Sequence, residues 1–479
     1  MKISSVFLAG TLAAMYLCVS TADAQDFAGT RTSDYFGVNG VFFNPAAIAG
    51  SPYRFDINLV SISPSVGNNK VAYRLKDLAN TFDSDSIEDM VFGRNSGPAN
   101  GMINADIHGP SFLFNTSAKT AFALTSRVRY MSNVTNLDGK LFKKLSDEFD
   151  NNADLPYTIS SSRNMRVNMN AWSEFGVSMA HVVMSRNGHL LKAGATLKYL
   201  VGMAGRYIDI NRLNGTLNTS PEDRNGQKVY LQNASGQISL GSGGIDLSDI
   251  QADQLLKANG SGIGADVGFV YEYRPHLASY DSITFRQSIV SPYKIRVSVS
   301  LLDLGGLSYH TREQSGIYDL NITGNEKLDI GELGNLSLDE YKSFFDRNPQ
   351  YFTPAKGNAT PAYKMTLPTS LLAAIDYRLL KGIYLNLEGR IALVGANTEP
   401  SNSYYYSSVR FTPRVEGRHF GIYLPVNYNR LTRLNAGFAL RSGFLFFGSG
   451  SILTAVLDKS KQADFYLGIH ISSLRRKNK

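Results

Sequence analysis

The sequence predicts an all-β fold, a transmembrane antiparallel β-barrel of about 14 strands. Three observations lead to this class: apolar and polar residues alternate along many segments, these segments are long, and long and short connections alternate between them. The composition agrees, because only 18% of the 479 residues are charged while 43% are hydrophobic. The mean hydropathy of −0.16 argues against a helical membrane protein, and the apolar content argues against a disordered chain.

Period-two alternation is the primary evidence for strands. It is clearest at 191–201, 293–301, 383–391 and 465–471, where each segment has one apolar and one polar face. Most predicted strands have about ten residues or more, longer than the ~5–6 typical of soluble sheets and close to the ~9–11 that a tilted strand needs to cross a bilayer. The predicted strands are 53–66, 107–118, 120–131, 171–184, 188–203, 262–275, 293–303, 368–378, 382–394, 407–416, 419–430, 433–441, 443–450 and 463–473.

The connections between these strands favour a spanning barrel. Four are long, whereas several others are tight turns of two to four residues, as expected when long loops face outside and short turns face the periplasm. An even number of strands places both termini on the short-turn side. The alternatives are a large secreted β-sandwich or a propeller, but a propeller would show blade-length repeats, which the sequence lacks. In lipid every strand edge must pair, so a spanning sheet has to close.

The first segment, residues 1–24, is predicted to be a signal peptide for the Sec pathway. Lys2 supplies a positive start, residues 6–19 are largely apolar, and Ala-Asp-Ala at 22–24 fits a cleavage site after Ala24. Cleavage removes Cys18, the one cysteine, so disulfides, thiol catalysis and cysteine-bound metals are not expected. The formal charge of +8 is spread along strands, and no nucleic-acid partner is expected for an exported chain.

Short motifs resemble a known family. Phe42-Phe43-Asn44-Pro45-Ala46-Ala47-Ile48-Ala49-Gly50 is similar to the N-terminal motif of the FadL-like long-chain fatty-acid transporter superfamily. The segment Gly-Ile-Gly-Ala-Asp-Val-Gly-Phe-Val-Tyr-Glu-Tyr at 262–273 resembles a G-x-G-x-D-x-G strand of related outer-membrane barrels. Together with 441–443 and 448–450, these motifs make the chain look most like an uncharacterised Bacteroidota outer-membrane barrel family. The resemblance implies location in the cell outer membrane.

The resemblance also implies a domain order. Residues 25–52, which contain the hatch motif Asn44, Pro45 and Ala46, would fold into the lumen as a hatch, and Asn-Pro is a turn-starting pair. The alternative is a simple periplasmic lead-in. Residues 53–474 would form the barrel and 475–479 a basic periplasmic tail. The long extracellular loops would be 67–106, 132–170, 204–261 and 304–367.

Charged residues on the polar strand faces are predicted to line the lumen. A charge facing the lipid midplane would cost about 2–4 kcal/mol for Arg or Lys, which favours the inward side. Eight basic residues against four acidic ones fit either a salt-bridged network that fills the barrel or an anion-preferring, carboxylate-binding path. The candidates are Arg54, Asp56, Arg127, Arg129, Lys192, Lys198, Asp266, Glu272, Lys294, Arg296, Glu388 and Arg390.

No catalytic constellation is visible in the sequence. The seven histidines form no H-E-x-x-H zinc motif, and Gly260–Ala265 matches a dinucleotide motif only formally, because a strand rather than a helix follows. We therefore expect no enzymatic activity, no cofactor and no metal. Tyr404, Tyr405 and Tyr406 are expected to belong to an aromatic girdle on the outer surface.

These observations predict passive transport of a small hydrophobic or amphipathic solute across the outer membrane. The expected partners are outer-membrane lipid and a fatty acid or other amphipathic ligand. The alternative is a closed barrel that acts as a binding or scaffold component for surface or secretion proteins. The length of the predicted loops supports this second hypothesis.

Overall fold

A computed structural model describes residues 27–77, 97–138, 141, 155–160, 163–219, 228–245, 259–275, 293–334, 336, 340–355 and 363–474. The predicted signal peptide and basic tail lie outside the described residues. The strands are β1 (Tyr53–Asn68), β2 (Ala99–His108), β3 (Ser111–Asn115), β4 (Thr120–Leu137), β5 (Tyr157–Ser160), β6 (Met165–Arg186), β7 (His189–Thr219), β8 (Val229–Gly244), β9 (Gly260–Tyr273), β10 (Ile295–Tyr309), β11 (Gly316–Ile322), β12 (Leu328–Asp329), β13 (Phe352–Pro354), β14 (Lys364–Thr366), β15 (Ser370–Leu380), β16 (Ile383–Ala392), β17 (Ser408–Glu416), β18 (Phe420–Tyr423), β19 (Val426–Asn429), β20 (Arg433–Ala436), β21 (Phe438–Ser442), β22 (Leu445–Ser449), β23 (Gln462–Asp464) and β24 (Tyr466–Leu474).

Antiparallel pairing joins these segments into a closed barrel of 14 strands, which confirms the predicted fold class. Five barrel strands are interrupted and consist of β2 with β3, β14 with β15, β18 with β19, β20 with β21, and β23 with β24. The ring closes where β24 pairs with β1, with Ile57 opposite Ile471. We call the end with the short connections the turn end and the opposite end the loop end.

The barrel wall has apolar side chains outside and polar side chains inside. On β7, Leu197 is 65% exposed on the outer face, while its neighbour Lys198 is 3% exposed and points inward. Exposed apolar residues recur on β6, β9, β16 and β17 in the same alternation. This inverted pattern is the surface that a bilayer stabilises.

Among the helices in the described part of the chain, none combines the length and the apolar character needed to cross a membrane. The helices are α1 (Ile330–Gly334), α2 (Glu340–Arg347) and α3 (Ile452–Leu457).

A second apolar core lies at the loop end, beyond the barrel. β6 and β7 continue past the ring as a pair, and β7 also pairs with β5 and β8. β11 and β12 extend the sheet from β8, and β13, α1 and α2 contribute apolar residues to the same core. Parts of 132–170, 204–261 and 304–367, predicted as loops, are therefore strands and helices. The periodicity changes there because apolar residues such as Leu213, Leu217 and Phe352 are buried against each other rather than exposed to lipid.

The N-terminal segment, residues 27–52, contacts inward side chains from strands around the ring. It contains three short 3₁₀ turns, Thr30–Thr32, Gly37–Phe42 and Pro45–Ile48. Its apolar residues are buried in two clusters, one with Leu113 and Leu190 and the other with Tyr423 and Tyr466. Burial of this segment, rather than regular hydrogen bonding, is what fixes it in place.

Candidate functional site

The structure buries ten of the twelve predicted lumen residues against the inside of the barrel wall. Arg296 has a side chain 18% exposed, and the other nine residues are at most 9% exposed. These residues are Asp56, Arg127, Arg129, Lys192, Lys198, Asp266, Glu272, Arg296, Glu388 and Arg390. Whether they serve transport stays a prediction.

The inward placement predicted for Arg54 and Lys294 is wrong. Arg54 is exposed because the register between β1 and β24 shifts between Tyr53 and Phe55, and this extra residue breaks the alternation. Lys294 precedes β10 and is half-buried at the turn end, with its Nζ 4.5 Å from the ring centre of the exposed Tyr377. Tyr293 takes the inward place instead and is 1% exposed.

A central ion cluster links inward side chains of the neighbouring strands β4, β6, β7, β9 and β10. Arg127 lies 2.7 Å from Glu174, and Arg129 lies 3.0 Å from Glu174 and 2.9 Å from Asp303. Lys198 bridges Asp266 and Asp303, each at 2.7 Å. All these side chains are at most 7% exposed and have therefore lost most contact with water. Each charge is stabilised instead by its oppositely charged partners.

Sequence reasoning missed three acids of this cluster, Glu174, Asp303 and Asp106, the last of which lies 3.6 Å from Arg127. Glu174 lies on a predicted strand and shares the inward face with Trp172, while its neighbour Phe175 is exposed on the outer face. The alternation of the sequence was therefore sufficient to predict that Glu174 points inward. Asp303 had no such signal, because the register of β10 and β9 shifts between Leu301 and Leu304 and turns Asp303 inward. Its φ of 57° places it in the left-handed region.

A turn-end ion cluster is centred on Glu272. This carboxylate is fully buried and lies 2.8 Å from Lys192, 2.6 Å from Arg274 and 3.1 Å from Arg296. Arg296 also pairs with Asp34 of the N-terminal segment. One acid thus holds three cations and, through Arg296, links the wall to the segment.

Further ion pairs attach the N-terminal segment to β16 and β17. Arg31 Nε lies 3.1 Å from Glu388 Oε2, and the Ser33 hydroxyl donates to Glu416 at 2.8 Å. Arg414 lies 2.8 Å from Glu416 and 2.6 Å from Asp376. Arg414, Glu416 and Asp376 were also missed, although their alternation with exposed neighbours places them on the inward faces of predicted strands.

The Asn-Pro-Ala turn of the N-terminal segment packs against two glycines of the wall, where the absence of side chains leaves room for it. Gly194 of β7 and Gly268 of β9 lie opposite each other, and a Cβ on Gly194 would be 2.5 Å from Ala46 N. A Cβ on Gly268 would be 2.8 Å from Asn44 Cγ. Without side chains at these positions, Asn44 Nδ2 donates to the carbonyl oxygen of Phe269 at 3.1 Å. Gly194 and Gly268 thus take part both in the pairing of β7 with β9 and in the contact with the Asn-Pro-Ala turn.

The 393–407 connection also enters the lumen, from the loop end. Asn168 Nδ2 donates to the carbonyl of Asn402 at 2.8 Å, and Asn170 Nδ2 donates to that of Ser401 at 2.7 Å, both from β6 on the opposite wall. The outer aromatic girdle predicted for Tyr404–Tyr406 is wrong. Tyr404 and Tyr405 are buried, and the Tyr405 hydroxyl accepts a 2.6 Å hydrogen bond from Arg129.

Described residues line at least two cavities in the lumen. The larger, called the turn-end cavity, has about 190 Å³ and lies between the N-terminal segment and the wall formed by β7, β9, β10, β15, β16 and β17. The smaller has about 40 Å³ and lies toward the loop end, beside Tyr405 and Asn427. Arg31 lines both. Among the described residues, no group of three or more His, Cys, Asp or Glu side chains could hold a metal ion.

Together these features define a closed antiparallel β-barrel in which residues 27–52 pack against inward side chains of the wall. Residues 45–450 match the model of a family described as "Family of unknown function (DUF5723)", and the chain belongs to this family. No curated protein matches the sequence.

Solved structures that match this chain include a Pseudomonas aeruginosa FadL homologue, with a TM-score of 0.39, 11% identity, and coverage of 94% of this chain and 97% of that chain. The Pseudomonas putida toluene transporter TodX gives a TM-score of 0.33 and 9% identity, over 95% of this chain and 100% of that chain. The outer membrane protease OmpT from Escherichia coli gives a TM-score of 0.19 and 9% identity, over 88% of this chain and 95% of that chain.

Proposed function

We propose that this protein is an outer-membrane barrel through which a small hydrophobic or amphipathic solute crosses passively, with the N-terminal segment as its hatch. One observation carries the proposal: the segment contacts the wall around the lumen and borders a 190 Å³ cavity with both aromatic and charged lining. Ligand sites combine apolar walls with a few fixed polar groups in this way. The barrel has no proposed enzymatic role.

The exposed apolar belt supports a location in outer-membrane lipid, with the turn end toward the periplasm. Export by the Sec pathway and cleavage after Ala24 belong to this proposal and are checked by the mass of the mature N-terminus. Membership of a Bacteroidota barrel group stays a prediction from the sequence motifs.

A reversible crosslink tests the hatch. The sequence has one cysteine, Cys18, in the predicted signal peptide, so an introduced pair can be studied without other thiols. In Asn44→Cys/Gly268→Cys the two sulfurs start from positions that are within disulfide reach, because Asn44 Cγ lies 2.8 Å from the Cβ site of residue 268. The variant would be reconstituted into proteoliposomes, and their uptake of 4-ethylphenol and octanoate would be measured before and after oxidation.

We expect oxidation to reduce uptake at least tenfold and dithiothreitol to restore it. The single variant Asn44→Cys, which keeps a glycine at position 268, is the matched control, and oxidation should not change its uptake. Equal uptake by the oxidised and reduced double variant would refute the hatch. Absence of uptake in every state would refute transport of these solutes.

A second candidate function, a scaffold for surface or secretion proteins, is favoured by the loop-end core. β8, β11, α1 and α2 build a folded unit outside the barrel, which a simple channel does not require. Crosslinking in native outer membrane, followed by mass spectrometry, tests it. A stoichiometric protein partner crosslinked to 316–355 would support the scaffold, and its absence would leave transport as the function.

A further inference from the structure

The charged groups around the turn-end cavity already pair with one another. Four cations and five carboxylates are among the described residues that line it. Lys192, Arg274 and Arg296 share Glu272, and Arg31 binds Glu388. A carboxylate that entered would have to take a cation from an existing buried pair, which is costly.

The remaining carboxylates are also neutralised, from behind the cavity wall. Arg414 lies 2.6 Å from Asp376 and 2.8 Å from Glu416, while Asp34 pairs with Arg296. The lining therefore offers no surplus of positive charge, and the carboxylate clamp expected from the count of basic residues loses its basis. The same balance disfavours a cationic ligand.

One buried polar residue that lines this cavity has a side-chain oxygen without a hydrogen-bond partner. Asn386 is 2% exposed, and its Oδ1 accepts no hydrogen bond from any of the residues that the structure describes. A buried acceptor left in this state destabilises the protein, and a ligand donor that bonds to it would recover this free energy. Phe36, Phe43, Tyr293 and Tyr384 supply ring surfaces around the same space.

We infer that the turn-end cavity binds an uncharged, ring-sized solute with one hydrogen-bond donor, such as a phenol, and rejects carboxylates. The size agrees, because a cavity of about 150 Å³ accommodates benzene and this cavity has about 190 Å³. The donor hydroxyl would bind Asn386 Oδ1, and the ring would lie against the aromatic lining. This inference names the solute class and rests on the proposed transport function.

Three matched probes test the inference: 4-ethylphenol, its anionic counterpart 4-ethylbenzoate, and ethylbenzene, which lacks a donor. Binding to the full chain in nanodiscs would be measured by calorimetry at pH 7, with empty nanodiscs to subtract partition into lipid. We expect 4-ethylphenol to bind at least tenfold more tightly than either of the others. Equal or tighter binding of 4-ethylbenzoate would overturn the inference.

Asn386→Leu locates the site. It should weaken 4-ethylphenol binding about tenfold and leave ethylbenzene within twofold, because only the hydroxyl contact is lost. The matched control is Asn427→Leu, which removes another buried amide, at the smaller cavity, and should not change binding. Unchanged 4-ethylphenol binding in Asn386→Leu would place the ligand elsewhere. Should Asn386→Leu fail to assemble, the order of the three probes on the unmodified protein decides.

Binding and transport fail separately in this design. If the probes bind in the expected order while the oxidised Asn44→Cys/Gly268→Cys variant still transports, the hatch is refuted and the site stands. If the crosslink blocks uptake but 4-ethylbenzoate binds best, the transport function stands and the inferred solute class is wrong.

Discussion

Glu272 illustrates how single residues hold the lumen closed. Three cations surround its fully buried carboxylate, so Glu272→Gln would leave them without their shared anion. We expect a loss of about 3–5 kcal/mol in unfolding free energy, since breaking a buried pair leaves uncompensated charge. Urea unfolding in detergent micelles measures this change.

The control for this substitution is Asp458→Asn. Asp458 pairs with Arg74 at 3.3 Å, but its side chain is 76% exposed, and a surface pair contributes little to stability because water solvates both charges. Its unfolding curve should match that of the unmodified protein. Equal effects of the two substitutions would contradict a special role for burial.

Gly268 is a position where one methyl group should separate docking from barrel assembly. Gly268→Ala puts a Cβ 2.8 Å from Asn44 Cγ and 3.1 Å from Pro45 Cδ, while β9 keeps its pairing. We expect the barrel to form and the N-terminal segment to become sensitive to protease. Gly389→Ala, whose Cβ would have nothing within 4 Å, should leave the segment protected. N-terminal sequencing after limited proteolysis distinguishes the two.

At the scale of elements, the inward 393–407 connection depends on asparagines of β6. Asn168→Leu/Asn170→Leu removes their hydrogen bonds to this connection and leaves its carbonyl groups unpaired, so the connection should leave the lumen. A cysteine at Ser401, which is 5% exposed, should then react at least tenfold faster with a maleimide added outside. Asn397 is already exposed, so a cysteine introduced there (Asn397→Cys) should be labelled at the same rate with and without the two asparagine substitutions.

The element pattern also shows what alternation can and cannot predict. Alternation found all 14 barrel strands, because lipid and lumen impose opposite demands on adjacent residues. It failed at Arg54 and Asp303, where a shift in register exchanges the faces. It also gave no sign that Tyr404 and Tyr405 enter the lumen, since a tyrosine run has the same composition in a membrane girdle and in a buried loop.

At the scale of the whole molecule, the two apolar environments should respond independently to mutation. Leu217→Ala in the loop-end core should cost about 2–5 kcal/mol there through the cavity that it creates. We expect trypsin to cleave within 316–355 while the barrel keeps its heat-modifiable migration in gels. Leu434→Ala, at a 62% exposed position, should leave 316–355 protected. Loss of both units together would show that they unfold as one.

The candidate site was less accessible to prediction than the fold. The buried charges could be placed inward from strand parity, but their partners lie far along the chain: Arg31 bonds Glu388, 357 residues away, and Ser33 bonds Glu416, 383 residues away. Local sequence patterns do not predict contacts between residues so far apart in the chain. The surplus of basic residues therefore fitted either a salt-bridged network or an anion path, and only the three-dimensional pairing shows which carboxylates neutralise them.

The span of these contacts has a consequence for biogenesis. The Tyr466 hydroxyl donates to the carbonyl of Ala28, across 438 residues, so the N-terminal segment is held by the strand that closes the ring onto β1. Contacts this distant form late in folding. The segment therefore cannot take its final position until β24 has been synthesised and has paired. A chain truncated before β24 would leave the segment without this contact, so docking of the segment distinguishes a finished barrel from an unfinished one.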